Sequence, residues 1–160
     1  MRVSVIGGRT VTDEQYDLAR EVGWVLGERG HEIVCGGRGG VMEAACRGAQ
    51  ETGGHAIGIL PGDDRAAANA YVDTPIATGM GYARNVLVVR NGDAVVAVDG
   101  STGTLSELAL ALDFGLPVAG LDTHRVDDLA GLEGVEHVDS PGAAVRFVEN
   151  ALEGGNSVRG

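Results

Sequence analysis

Two stretches of the chain combine glycine with hydroxyl or guanidinium side chains in the way an anion site requires. The first is Val95-Val96-Ala97-Val98-Asp99-Gly100-Ser101-Thr102-Gly103-Thr104-Leu105-Ser106-Glu107, an apolar run that passes through a Gly/Ser/Thr turn into a helical pattern. The first N–H groups of a helix have no intrahelical partner, and the helix dipole makes that end positive. Glycines let a phosphate approach the backbone, and hydroxyls add donors. An ordinary capped turn would also fit. Length, hydroxyl content and position after a strand favour phosphate. No Gly-Lys-Ser/Thr is present, which excludes a Walker-type loop.

The second stretch is Cys35-Gly36-Gly37-Arg38-Gly39-Gly40-Val41-Met42, with four glycines in five positions. Gly7-Gly8-Arg9 is a weaker third, and Arg84-Asn85 opens a later helical pattern. The candidate binding set is therefore Gly7, Gly8, Arg9, Gly36, Gly37, Arg38, Gly39, Gly40, Met42, Arg84, Asn85, Gly100, Ser101, Thr102, Gly103 and Thr104. Guanidinium groups bind phosphate bidentately. Arg9 and Arg38 fit a solvated surface role equally well. Glu107 also has two readings. In Thr104-Leu-Ser-Glu107 it completes a capping box; beside a phosphate loop it could contact ribose hydroxyls or transfer a proton.

Other reactive residues give less. His31 and His55 precede strand patterns, which places them at the opposite edge. His124 follows one and could approach a ligand; His137 has no reading beyond surface or core. Cys35 and Cys46 lack metal-ligand spacing and read as small buried apolar residues. No metal site and no Ser/His/Asp arrangement can be assembled.

The elements that must position these residues alternate along the chain. Strands are expected at 2–6, 32–35, 55–60, 93–98 and 117–121, with short ones near 72–77 and 135–138. Helices are expected at 13–29, 40–53, 80–91, 103–114 and 141–152. Thr12 with Gln15 forms a capping box, Gly30 and Gly115 are helix C-terminal stops, and Ser140-Pro141 opens the last helix. This order predicts a single-domain, Rossmann-like three-layer α/β sandwich over 1–152, with a mostly parallel sheet and a frayed tail at 153–160. Ligands of such sheets bind beyond the carboxyl ends of the strands.

Bulk properties bound the function. The 160 residues carry a net charge of −11, and all 12 basic side chains are Arg. So acidic a surface repels nucleic acid, and no apolar run approaches membrane-spanning length. The N-terminus is too soon interrupted for a signal peptide, so a cytoplasmic protein is expected. Acid excess without lysine suggests adaptation to high salt, in which case the melting temperature rises with molar KCl.

The ordered motifs Gly36-Gly37-x-Gly-Gly40-x-Met42, Gly53-Gly54-x-Ala-Ile-Gly58-x-Leu-Pro61, Arg84-Asn85 and Gly100-Ser-Thr-Gly103-Thr104-x-x-Glu107 span about residues 1–120. Together they resemble the lysine decarboxylase-like family that includes the cytokinin-activating LOG phosphoribohydrolases. The similarity is closest to its compact branch, related to molybdenum cofactor carrier proteins and the DNA-processing protein DprA/Smf. The resemblance implies a Rossmann-like fold, a nucleotide monophosphate-type ligand or molybdenum cofactor, and a homodimer or larger assembly. No required cofactor is implied. It also implies catalytic roles for Glu107 and Arg84 if the chain cleaves an N-glycosidic bond. Three departures favour a carrier over a hydrolase: Asp99 stands where LOG enzymes have Pro, Ser101 where they have Gly, and Asn85 where they have Lys.

Overall fold

The computed structural model describes residues 1–126 and 133–156. Its sheet is built from β1 (Arg2–Gly7), β2 (Glu32–Cys35), β3 (Ala56–Leu60), β4 (Thr74–Ala77), β5 (Ala94–Val98), β6 (Val118–Leu121) and β7 (Val135–His137). The strand order is β4-β3-β2-β1-β5-β6-β7, and every pairing is parallel. The helices are α1 (Asp13–Glu28), α2 (Val41–Glu51), α3 (Arg84–Arg90), α4 (Thr102–Asp113) and α5 (Pro141–Asn156).

Strand side chains alternate between two apolar layers. Val3, Val5, Ile33, Val96 and Val98 pack with α1, α2 and α5. Ile6, Val34, Val95 and Ala97 pack with Val88 and Val89 of α3 and Leu108 and Ala111 of α4. Ser4 faces the second layer and is fully buried, where its hydroxyl donates to the Val88 carbonyl at 2.7 Å. Strands buried on both faces read as continuous apolar runs, which is why β1 and β5 are so plain in the sequence.

Local chemistry fixes most ends. Thr12 caps α1 through the Gln15 amide, and Gln15 returns the bond to the Thr12 N–H. Gly30 and Gly115 take positive φ just past α1 and α4. Three boundaries differ from expectation. The segment 80–91 splits into a 3-10 turn, Gly81–Ala83, followed by α3. Helix α4 starts at Thr102 with Ser101 as its N-cap, so Thr104 lies inside the first turn and cannot cap Glu107. Helix α5 continues through residues 153–156 of the expected frayed tail; residues 157–160 lie outside the described part.

Candidate functional site

β1 and β5 are neighbours, yet the chain leaves them toward opposite edges of the sheet. At such a switch point the loops diverge and open a crevice at the carboxyl ends. A cleft of about 470 Å³ lies there, lined among others by Arg9, Arg38, Arg84, Ser101, Thr104 and Glu107. The two glycine-rich bends therefore meet at one site.

On one side stands the start of α4. No side chain caps it: Ser101 makes no cap hydrogen bond, and Leu105 N–H is already bonded to the Ser101 carbonyl. The N–H groups of Thr102, Gly103 and Thr104 lack intrahelical partners, as at any helix start. Thr104 and Glu107 are buried, at 2% and 7% exposure. The loop before α4 is tethered from behind. Asp99 takes φ +53°, its carboxylate accepts from Gln15 Nε2 at 3.0 Å, and its carbonyl accepts from Thr123 Oγ1 at 2.6 Å. His124 Nε2 donates to the Ser101 carbonyl at 2.9 Å. Asp99 and His124 thus hold the loop rather than line the cleft.

On the other side stands Arg84. One terminal nitrogen donates to the Gly36 carbonyl at 3.3 Å, and the other donates to Asn85 Oδ1. Its Nε is buried and has no protein partner. Burial holds the guanidinium below its ordinary value; Glu107 and Cys35 oppose that effect, while Arg38 and Arg9 add to it. Burial also pushes Glu107 up to about 7, against the pull of Arg84. A carboxyl so placed can carry or release a proton near neutrality.

Of the candidate binding residues, Gly7, Arg9, Gly36, Arg38, Met42, Arg84, Asn85, Ser101, Thr102, Gly103 and Thr104 line the cleft. Gly8, Gly37, Gly39, Gly40 and Gly100 shape its loops without lining it. Gly40 shows why: at φ +64° a Cβ would fall 2.2 Å from the Gly8 carbonyl oxygen, where Val41 N–H is already bonded at 2.9 Å. Val5, Ile6, Pro61, Gly62, Gly81 and Tyr82 complete the lining and were not among the candidates. Pro61 lay in a motif and Tyr82 beside one, but only the pairing of β3 with β4 and of β3 with β2 brings them to the site.

His31 and His55 lie at the amino edge, bonded to Glu149 and Thr74. Cys35 and Cys46 are buried free thiols with sulfurs 3.5 Å apart; their mutual hydrogen bond lowers Cys35 and, with burial, raises Cys46. Among the described residues, no group of three or more His, Cys, Asp or Glu is placed to hold a metal. No described helix is long and apolar enough to cross a membrane.

Fold and cleft define a Rossmann-like α/β protein of a nucleotide- or small-molecule-binding class, with a cleft at its topological switch point. The chain belongs to the SLOG cluster4 family, whose model matches residues 1–145. An uncharacterised protein of Archaeoglobus fulgidus is 41% identical over 92% of this chain and 93% of its own length. A cytokinin riboside 5′-monophosphate phosphoribohydrolase of Mycobacterium tuberculosis is 33% identical over 59% of this chain, which spans 52% of that enzyme. Among solved structures, the molybdenum cofactor binding protein of Rippkaea orientalis matches with TM-score 0.88 and 33% identity, over 94% of this chain and 96% of that one. The molybdenum cofactor carrier protein of Chlamydomonas reinhardtii matches with TM-score 0.85 and 34% identity, over 95% and 98%. DNA processing protein A of Helicobacter pylori, at 21% identity and TM-score 0.72 over 96% and 80%, shares the fold alone.

Proposed function

We propose that the cleft binds a phosphate-bearing, nucleotide-like molecule and that the chain serves as its carrier, with molybdenum cofactor as the candidate cargo. In this reading the phosphate rests on the first-turn N–H groups of α4 and the Ser101 and Thr102 hydroxyls, with Arg84, Arg38 and Arg9 neutralising it. The observation that carries the reading is the buried, unpartnered Nε of Arg84 in the same cleft as an uncapped helix start. A buried donor without a partner is costly, and a ligand oxygen would satisfy it. Similarity to the two molybdenum cofactor proteins supports the choice of cargo. The proposal extends to a cytoplasmic homodimer or larger assembly that does not bind nucleic acid.

A second reading is a nucleoside 5′-monophosphate phosphoribohydrolase, favoured by the elevated proton affinity of Glu107. Ionised Glu107 would take a proton from water attacking C1′ as the bond to the base breaks, and that proton would pass on to the departing base, which returns Glu107 to its ionised form. Asn85 weighs against it, since its side-chain oxygen is engaged by Arg84 where the LOG enzymes carry a second cation. Incubation with AMP and N6-substituted AMP separates the two. Ligand retained without free base supports the carrier; released base identifies the hydrolase; neither retention nor release refutes both.

A further inference from the structure

Tyr82 is 90% exposed, yet it lines the cleft. The chain has six aromatic residues, and most of the others are engaged. Tyr16 donates to Glu43 and packs on the core, Tyr71 lies under Arg47, Phe114 sits 3.6 Å from the Arg90 guanidinium, and Phe147 packs on the core. Among the described residues, the Tyr82 ring has no such contact and its hydroxyl no hydrogen bond. Its mount, by contrast, is fixed. Gly79 N–H donates to the Gly62 carbonyl at 2.8 Å, and Gly81 N–H donates to the Pro61 carbonyl at 2.9 Å. Two residues on, Arg84 is held by Gly36 and Asn85.

The space beside this ring is real. A Cβ added at Gly62 or Gly81, both of which line the cleft, would meet nothing within 4 Å. The cleft volume of about 470 Å³ far exceeds a lone phosphate and falls within the ~300–1,000 Å³ of sites for drug-sized ligands. Resting on the phosphate-site reading above, we propose that Tyr82 is the platform on which the ligand's planar heteroaromatic ring stacks. The site then takes ring-bearing phosphates and discriminates against bare sugar phosphates. Tyrosine suits such a platform, because its flat face accepts any heterocycle and it loses few rotamers when ordered.

Calorimetry with AMP, neopterin monophosphate and ribose 5-phosphate tests this on the wild type, Tyr82→Ala and Tyr82→Phe. Tyr82→Ala should weaken binding of AMP or the pterin phosphate by about 10-fold. Ribose 5-phosphate should be unaffected, and Tyr82→Phe should bind as wild type. Which ring suffers tells purine from pterin. The assignment is overturned if Tyr82→Ala binds both ring compounds normally or loses ribose 5-phosphate equally. Normal affinities with a lower solution mass would mean that Tyr82 serves self-association instead. A wild type that binds none of the three compounds overturns the phosphate site itself, and this assignment with it.

Discussion

The two edges of the sheet treat charge in opposite ways. At the amino edge, Arg29 grips the Glu149 carboxylate with two nitrogens at 2.8 and 2.6 Å, His31 joins it at 2.7 Å, and Arg2 pairs with Glu32 at 3.1 Å. At the carboxyl edge, Arg9, Arg38 and Arg84 share one cleft, and among the described residues none forms a salt bridge, although the Glu107 carboxylate lies close enough to favour the charge on Arg84. There Arg38 and Arg9 act against the charge on Arg84. Paired charges fasten α5 to the start of β2, whereas three converging arginines without a salt bridge, facing the one buried carboxyl of Glu107, gather positive charge in a chain of net charge −11. The same residue type thus holds the fold together at one edge and, in the proposed function, would meet an anion at the other.

The sharpest way to break this contrast is to spoil the backbone that gathers the carboxyl edge. Gly40→Ala should cost about 4 kcal/mol, combining a disfavoured φ with a clash against the Gly8 carbonyl. Urea unfolding measures it, and a near-neutral result would mean the loop can move aside. Glu107→Gln comes next. A carboxyl raised from 4.5 to about 7 costs nothing below the lower value; the cost grows as pH rises and is complete above the upper one. The variant should therefore gain up to about 3 kcal/mol over wild type at pH 8. That gain should vanish near pH 4, in melts across the range.

Arg84→Ala should weaken AMP binding by ~1.5–3 kcal/mol, the scale of a lost hydrogen bond to a charged group. Unchanged affinity in calorimetry would remove Arg84 from the site. The smallest effect belongs to the other edge. Glu149→Gln should lower the melting temperature by a few degrees and leave AMP affinity intact. Hydrogen bonding from Arg29 depresses the Glu149 carboxyl, so its contribution is present at neutral pH and lost in acid. If Glu149→Gln weakened AMP binding, the two edges would not be independent.

Most of this architecture is legible without coordinates because it is locally encoded. The Thr12 capping box, the glycine stops after α1 and α4 and the apolar runs of β1 and β5 all depend on near neighbours in sequence. The capping reading of Thr104-x-x-Glu107, one of the two that the spacing leaves open, has the same origin. A Ser/Thr three residues before Glu meets the capping pattern, but Ser101 starts the helix one turn earlier and burial claims Glu107. Tyr82 is hidden in the sequence for a different reason. Gly62 follows a strand and falls in a carboxyl-edge loop, whereas the place of Tyr82 in the cleft comes from the order of four strands, and no spacing along the chain records it.

The cleft draws its walls from both wings of the sheet: Gly36, Arg38, Pro61 and Arg84 from the β2–β4 wing, and the start of α4 from the β5–β7 wing. An occupant touching both walls is a brace across the seam where the topology divides. At a hundred times its dissociation constant such a brace adds roughly 2.7 kcal/mol to the whole domain. If the proposed cargo binds there, the laden molecule would be the sturdier one, and unloading would leave it at its most fragile.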